Sequence, residues 1–173
     1  RNLSHNEQLE WNALAKTVRS KRLPADGSCH ISGYNLFMSS YHGLACIGDE
    51  RIPEPKPLPS FPVIQFDNPS ATRINAAHLQ ITFKIIGDQI PDIQMIVAKI
   101  QLTPPGFKSH RGRFRNYIGT STDDNHVSFI IHDYRTVSGL DLNEYQVHLK
   151  HFLIDADSGH RSKEISQALK VRI

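Results

Sequence analysis

Between Val63 and Ile173 apolar side chains recur at every second position, run after run. Leu79, Ile81, Phe83 and Ile85 alternate with other residues, as do Val127, Phe129 and Ile131, then Tyr145, Val147 and Leu149, then Ile165, Leu169, Val171 and Ile173. Successive side chains of an extended strand point to opposite faces, so this period sends one face to a core and the other toward water. Polar turns separate the runs, and no long helical pattern intervenes. The spacing predicts strands near 63–67, 78–86, 92–102, 114–120, 126–135, 143–154 and 163–172. The fold class expected is mainly β: a seven-stranded antiparallel sandwich over 63–173, preceded by a two-helix segment.

A proline-rich stretch marks where the β pattern begins. Residues 52–62 hold Pro53, Pro55, Pro57 and Pro59 at alternate positions, then Pro62. Such spacing excludes helix and central strand and favours an extended, semi-rigid spacer. It divides the chain into a helical front (1–51), a linker (52–62) and the β-rich part (63–173).

In the front, Ser4-His5-Asn6-Glu7 fits a capping box, and Trp11, Leu14 and Val18 form one apolar stripe, predicting a helix over 5–18. Pro24-Ala-Asp-Gly27 reads as a turn. Ser32 caps a second predicted helix over 33–45, along which Tyr34, Phe37, Met38, Tyr41 and Leu44 recur at helical spacing. Gly43 and Gly48 suggest where it frays and stops. About fifty residues are too few for a secure core alone. These large apolar residues therefore need cover, from the rest of the chain or from another subunit, which makes Trp11, Phe37 and Tyr41 candidate docking residues.

Net charge is +3, which weighs against a polybasic nucleic-acid module. No apolar run reaches the roughly 18 residues of a membrane span. Cys29 and Cys46 flank the second helix, whose length would hold them apart, so two small buried thiols are expected rather than a disulfide.

The most specific stretch is Leu142-Asn-Glu-Tyr-Gln-Val-His-Leu149, followed by Gly159 in a polar turn. With the strand pattern, it resembles the fibronectin type III family over about 62–173. The resemblance implies that Tyr145 forms a corner tying the sixth strand to the preceding loop, with Leu142 packed beneath it. The tryptophan usual in strand B is missing, so Phe83 or Leu79 would fill its space. There is no Arg-Gly-Asp triplet to support integrin binding. The whole chain also resembles, more weakly, uncharacterised bacterial and phage-associated proteins with a helical front before such a module, through Gln8-Leu-Glu-Trp11 and Gly33-Tyr-Asn-Leu-Phe37.

Chemistry-bearing patterns are sparse. Lys108-Ser-His-Arg-Gly-Arg-Phe-Arg115 lies in a stretch without acids from Ile93 to Thr122. Arg111, Arg113 and Arg115 alternate, so on an extended segment three guanidiniums would share a face able to grip a polyanion, a glycan or a partner's carboxylates. The chain has no metal-ligand spacing of the H-E-x-x-H or C-x-x-C kind, no nucleophile elbow and no phosphate loop. His30, Cys29, His42 and Cys46 offer only a weak zinc grouping. No cofactor and no catalytic residues are expected. The reading is a non-enzymatic structural or assembly protein, virion-type or extracellular, with other protein subunits as partners. The alternative is a carbohydrate- or polyanion-binding module using 108–115.

Overall fold

The computed structural model describes residues 3–18, 30–75, 78–109, 114–123, 125–132 and 145–171. They divide into two compact units: Arg1–Ser60 with Ile154–Arg161, and Phe61–Leu153 with Ser162–Ile173.

The first unit holds α1 (His5–Ala15) and α2 (Gly33–Cys46). The capping box at the start of α1 forms as its sequence requires. Ser4 Oγ accepts from the Glu7 backbone N–H at 3.3 Å, and Glu7 Oε2 accepts from the Ser4 N–H at 2.6 Å. The helix ends at Ala15, three residues before Val18, and the chain leaves it in turns. Ser32 caps α2, its Oγ accepting from Asn35 N–H at 3.2 Å. Trp11, Ala15 and Leu36 form the unit's buried cluster, with Leu14, Val18 and Phe37 packed against it. The proline-rich stretch is neither helix nor strand, and the division between units falls at its far end.

Gly43 is a packing position rather than a point of fraying. It lies inside α2, buried, where a Cβ would collide with the Gly159 carbonyl oxygen. Gly159 has φ +73, and a Cβ there would strike the Ser40 carbonyl. Two facing glycines let the helix backbone and the turn backbone touch.

The second unit is built from eight strands among the described residues, one more than the sequence pattern predicts. They are β1 (Ile64–Arg73), β2 (Leu79–Gly87), β3 (Gln94–Thr103), β4 (Arg115–Ile118), β5 (Thr120–Asp123), β6 (His126–Ile131), β7 (Gln146–Asp155) and β8 (Ile165–Lys170). The last residues of β7, Ile154 and Asp155, belong to the first unit. Two four-stranded antiparallel sheets result, in the orders β1-β2-β6-β5 and β4-β3-β7-β8.

The extra strand comes from Gly119. The segment expected as one strand over 114–120 pairs with β3 up to Ile118, then crosses to pair with β6 from Thr120. At the crossing a Cβ on Gly119 would lie 2.5 Å from Val127 Cγ2 and 3.1 Å from Phe129 Cε1. Only glycine lets the chain pass so close to the core while changing sheets. A second difference is β1, which runs to Arg73 rather than ending near residue 67. The register shifts between Asp67 and Ser70, with Asn68 at φ 46, so Asn68-Pro69 forms a bulge inside a continuing strand.

One core draws on both sheets: Ile64, Phe66, Leu79, Ile81, Phe83, Val127 and Phe129 from the first, Ile96, Ala98, Ile100, Val147 and Leu149 from the second. Phe83 stands at its centre, stacked on Phe66 at 5.3 Å and edge-on to Phe129 at 5.9 Å. The outer edge of β1 is closed by side chains of the other sheet. Gln167 on β8 accepts from Phe66 N–H at 3.0 Å and donates to Phe66 O at 3.1 Å. His151 on β7 donates from Nε2 to Ile64 O at 3.1 Å. Edge backbone groups that would otherwise invite another strand are thereby occupied.

Candidate functional site

Three groups of residues bear on function: the aromatic front and the basic segment, both expected from sequence, and a buried cluster that the structure adds. The aromatic residues of the helical front form a ladder from core to surface. Trp11, 1% exposed, meets Phe37 edge to face at 5.6 Å, and Phe37 stacks with Tyr41 at 6.3 Å. Phe37 and Tyr41 are four apart on α2 and so lie one above the other. Trp11 is thus committed to the core of its own unit, and what reaches the surface is Tyr41 at 38% exposure and Tyr34 at 68%. Leu3, Gln8, Trp11, Asn12, Gly33, Tyr34 and Phe37 line a cleft of about 430 Å³. Trp11 Nε1 is buried and has no hydrogen-bond partner among the described residues.

The turn after β7 brings a serine and a histidine together that are 120 residues apart. Ser40 Oγ lies 3.1 Å from His160 Nδ1, and His160 Nε2 lies 2.8 Å from Lys56 O. A carbonyl only accepts, so Nε2 carries the proton and Ser40 donates to Nδ1. A serine donating to a neutral imidazole has the polarity of an activated nucleophile. Ser40 is 0% exposed and His160 4%, so the pair is shielded from solvent and satisfies two buried polar groups. The turn is braced around it. Asp155 Oδ1 accepts from Ser158 N–H at 2.8 Å and from its hydroxyl at 2.6 Å. Lys56 Nζ reaches both oxygens of Asp157 at 2.7 Å, a contact that raises the lysine's pKa. Arg51 donates to Ala156 O at 3.0 Å and bonds Asp49, whose carboxyl it holds below the usual range. The proline-rich stretch is therefore pinned through Lys56. No local signal announced this, because the partners are distant in sequence.

The basic segment is the third group. Arg111 and Arg113 lie outside the described residues, as do Cys29 and Leu142. Lys108 and Arg115 are exposed. Arg115 stands opposite Ile100, and Tyr117 two residues on packs against the core, so Arg115 has the inward parity of β4 at its outer end. Neighbouring cations on this sheet are partly neutralised: Lys99 and Lys150 approach Glu164 at 2.8 and 3.8 Å. Each also covers an aromatic ring, Lys99 over Phe152 at 5.5 Å and Lys150 over Phe114 at 5.3 Å.

Leu79 and Phe83 are both buried in the core of the second unit, and Tyr145 is buried at 6% immediately before β7. Cys46 is a half-buried free thiol. Among the described residues no three His, Cys, Asp or Glu side chains gather as a metal site, and no helix is long and apolar enough to cross a membrane. Compared with known proteins, the chain matches no family model and no curated sequence.

Proposed function

We propose that the chain is a non-enzymatic structural or assembly protein whose second unit is a fibronectin III-like sandwich and whose helical unit docks on neighbouring subunits. The strand orders β1-β2-β6-β5 and β4-β3-β7-β8 support the sandwich. On this reading β1, β2, β6 and β5 take the places of strands A, B, E and D, and β4, β3, β7 and β8 those of C′, C, F and G, with Tyr145 before the F-equivalent strand. The observation that carries the docking role is the exposed apolar side of the helical unit: Tyr34 at 68%, Leu9 at 53% and Tyr41 at 38% exposure. Tyrosines are the residues that interfaces recruit, offering large contact area at small entropic cost. The setting in which such repeated contacts serve is a virion-type or extracellular assembly.

Light scattering on the purified chain tests this. The expected result is a mass that rises with concentration and returns to the monomer value in Tyr34→Ser/Tyr41→Ser. A strictly monomeric chain at high concentration would sink the proposal. The second reading, polyanion or glycan binding, is favoured by exposed Lys108 and Arg115. Unchanged retention of Lys108→Ser/Arg115→Ser on a sulfated polysaccharide column would remove it.

A further inference from the structure

Immediately before β2 stands a histidine, His78, whose ring is held by Asn75. Asn75 Oδ1 accepts the His78 backbone N–H at 2.9 Å and lies 2.9 Å from His78 Nδ1. The backbone amide only donates, so the shared Asn75 atom is the oxygen, and His78 Nδ1 carries the proton it donates there. Nε2 is left with its lone pair. The ladder then supplies a second imidazole. Leu79 pairs with Ile131, so one step outward His78 stands beside His132, the two rings in a T-shaped contact with centroids 4.9 Å apart and planes at 86°. His132 is exposed and His78 half-buried, and neither belongs to the core.

We infer that His78 and His132 form a two-histidine site for a divalent transition-metal ion, Zn²⁺ in the first instance. A metal about 2.0–2.1 Å from one nitrogen of each ring sets the two centroids about 4.5–5.2 Å apart, for ligand angles from square to tetrahedral. The observed separation falls inside that interval, so turning the rings out of their T-shaped contact, with no change in their spacing, would bring one nitrogen of each to a shared ion. The Asn75 contact is the outer-shell arrangement that metal-bound histidines use: the far nitrogen donates to a fixed oxygen, which sets the tautomer and aims the near nitrogen. The last ladder pair, Leu79 with Ile131, adjoins both histidines and limits how far their Cα atoms can separate. The described protein ligands number two, which leaves coordination positions to water or to a small exogenous ligand.

Calorimetric titration of the intact chain with ZnCl₂ alone, beside continuous-wave EPR with Cu²⁺ as a paramagnetic probe, tests the site. One ion per chain is expected, with affinity falling at least tenfold in His132→Ala and in His78→Ala. The copper spectrum should lose one of two equatorial nitrogen couplings in His132→Ala. Asn75→Ala should weaken binding severalfold through the freed His78 ring. Because His132 is exposed, His132→Ala should melt at the parent temperature without metal, which separates ligand loss from misfolding. Zinc affinity unchanged in the double variant His78→Ala/His132→Ala would overturn the inference, as would a copper spectrum indifferent to His132→Ala.

Discussion

His151 has a polar ring in an apolar place. It is 1% exposed, lies 4.4 Å from the Phe66 ring, and has no partner for Nδ1 among the described residues. Burial disfavours its charged form and lowers its pKa below 6.5, an effect that the bond to Ile64 O only partly opposes. The unfolded chain therefore binds a proton below about pH 6.5 that the folded chain refuses. The contribution of His151 to stability is intact above that pH and is lost as pH falls toward the folded pKa, at a slope of up to about 1.4 kcal/mol per unit. His151→Gln keeps a donor for Ile64 O and cannot titrate. Urea unfolding at pH 7 and pH 5.5 should show a smaller loss of stability for the variant than for the parent; equal losses would disprove the assignment. Gln167 is the neighbouring case. Its amide makes two bonds to the Phe66 backbone, and Gln167→Ala should lower stability by about 1–3 kcal/mol, because both backbone groups lose their partner. Alternation along β7 and β8 places these residues on a face. It says nothing of the β1 edge they close, because the partner strand lies some hundred positions away.

At the level of elements, glycine explains what periodicity could not. The runs at 79–85, 127–131 and 145–149 were legible because each alternates strictly and each becomes a strand. The segment over 114–120 looked continuous, yet it serves two sheets, and the only mark of the change is Gly119 among residues that favour strands. Asn68-Pro69 misleads in the opposite sense, carrying turn chemistry inside a strand. Gly119 has no positive φ, so replacing it acts through volume alone. Gly119→Ala puts a methyl against Val127 and Phe129 and should cost about 1–3 kcal/mol, as overpacked cores do. Thermal melting would show it. A melting temperature equal to that of the parent would mean that the crossing has room the structure does not display.

For the whole molecule, the helical unit is discontinuous in sequence. It takes Arg1–Ser60 from one end of the chain and Ile154–Arg161 from the other. The proline-rich stretch is visible as a boundary from its composition, whereas nothing local to Asp-Ala-Asp-Ser-Gly-His reveals that this turn completes the first unit. What joins them is specific: Gly43 against Gly159, Ser40 donating to His160, His160 donating to Lys56 O, and Lys56 paired with Asp157. A fragment ending at Ser60 would carry Ser40, Gly43 and Lys56 without Gly159, His160 or Asp157. It would keep the Trp11, Ala15 and Leu36 cluster, which is small for a segment whose backbone entropy must be overcome residue by residue. Fragment 1–60 should therefore unfold without a cooperative transition by circular dichroism, while the intact chain shows amide protection at Leu44 and Ser40. Adding a peptide spanning 153–162 in excess should restore helicity if the turn is the missing part, because a ligand that binds only the folded form shifts the equilibrium toward it. A sharp melting transition in fragment 1–60 alone would show instead that the two helices hold themselves together and that the turn is incidental to them.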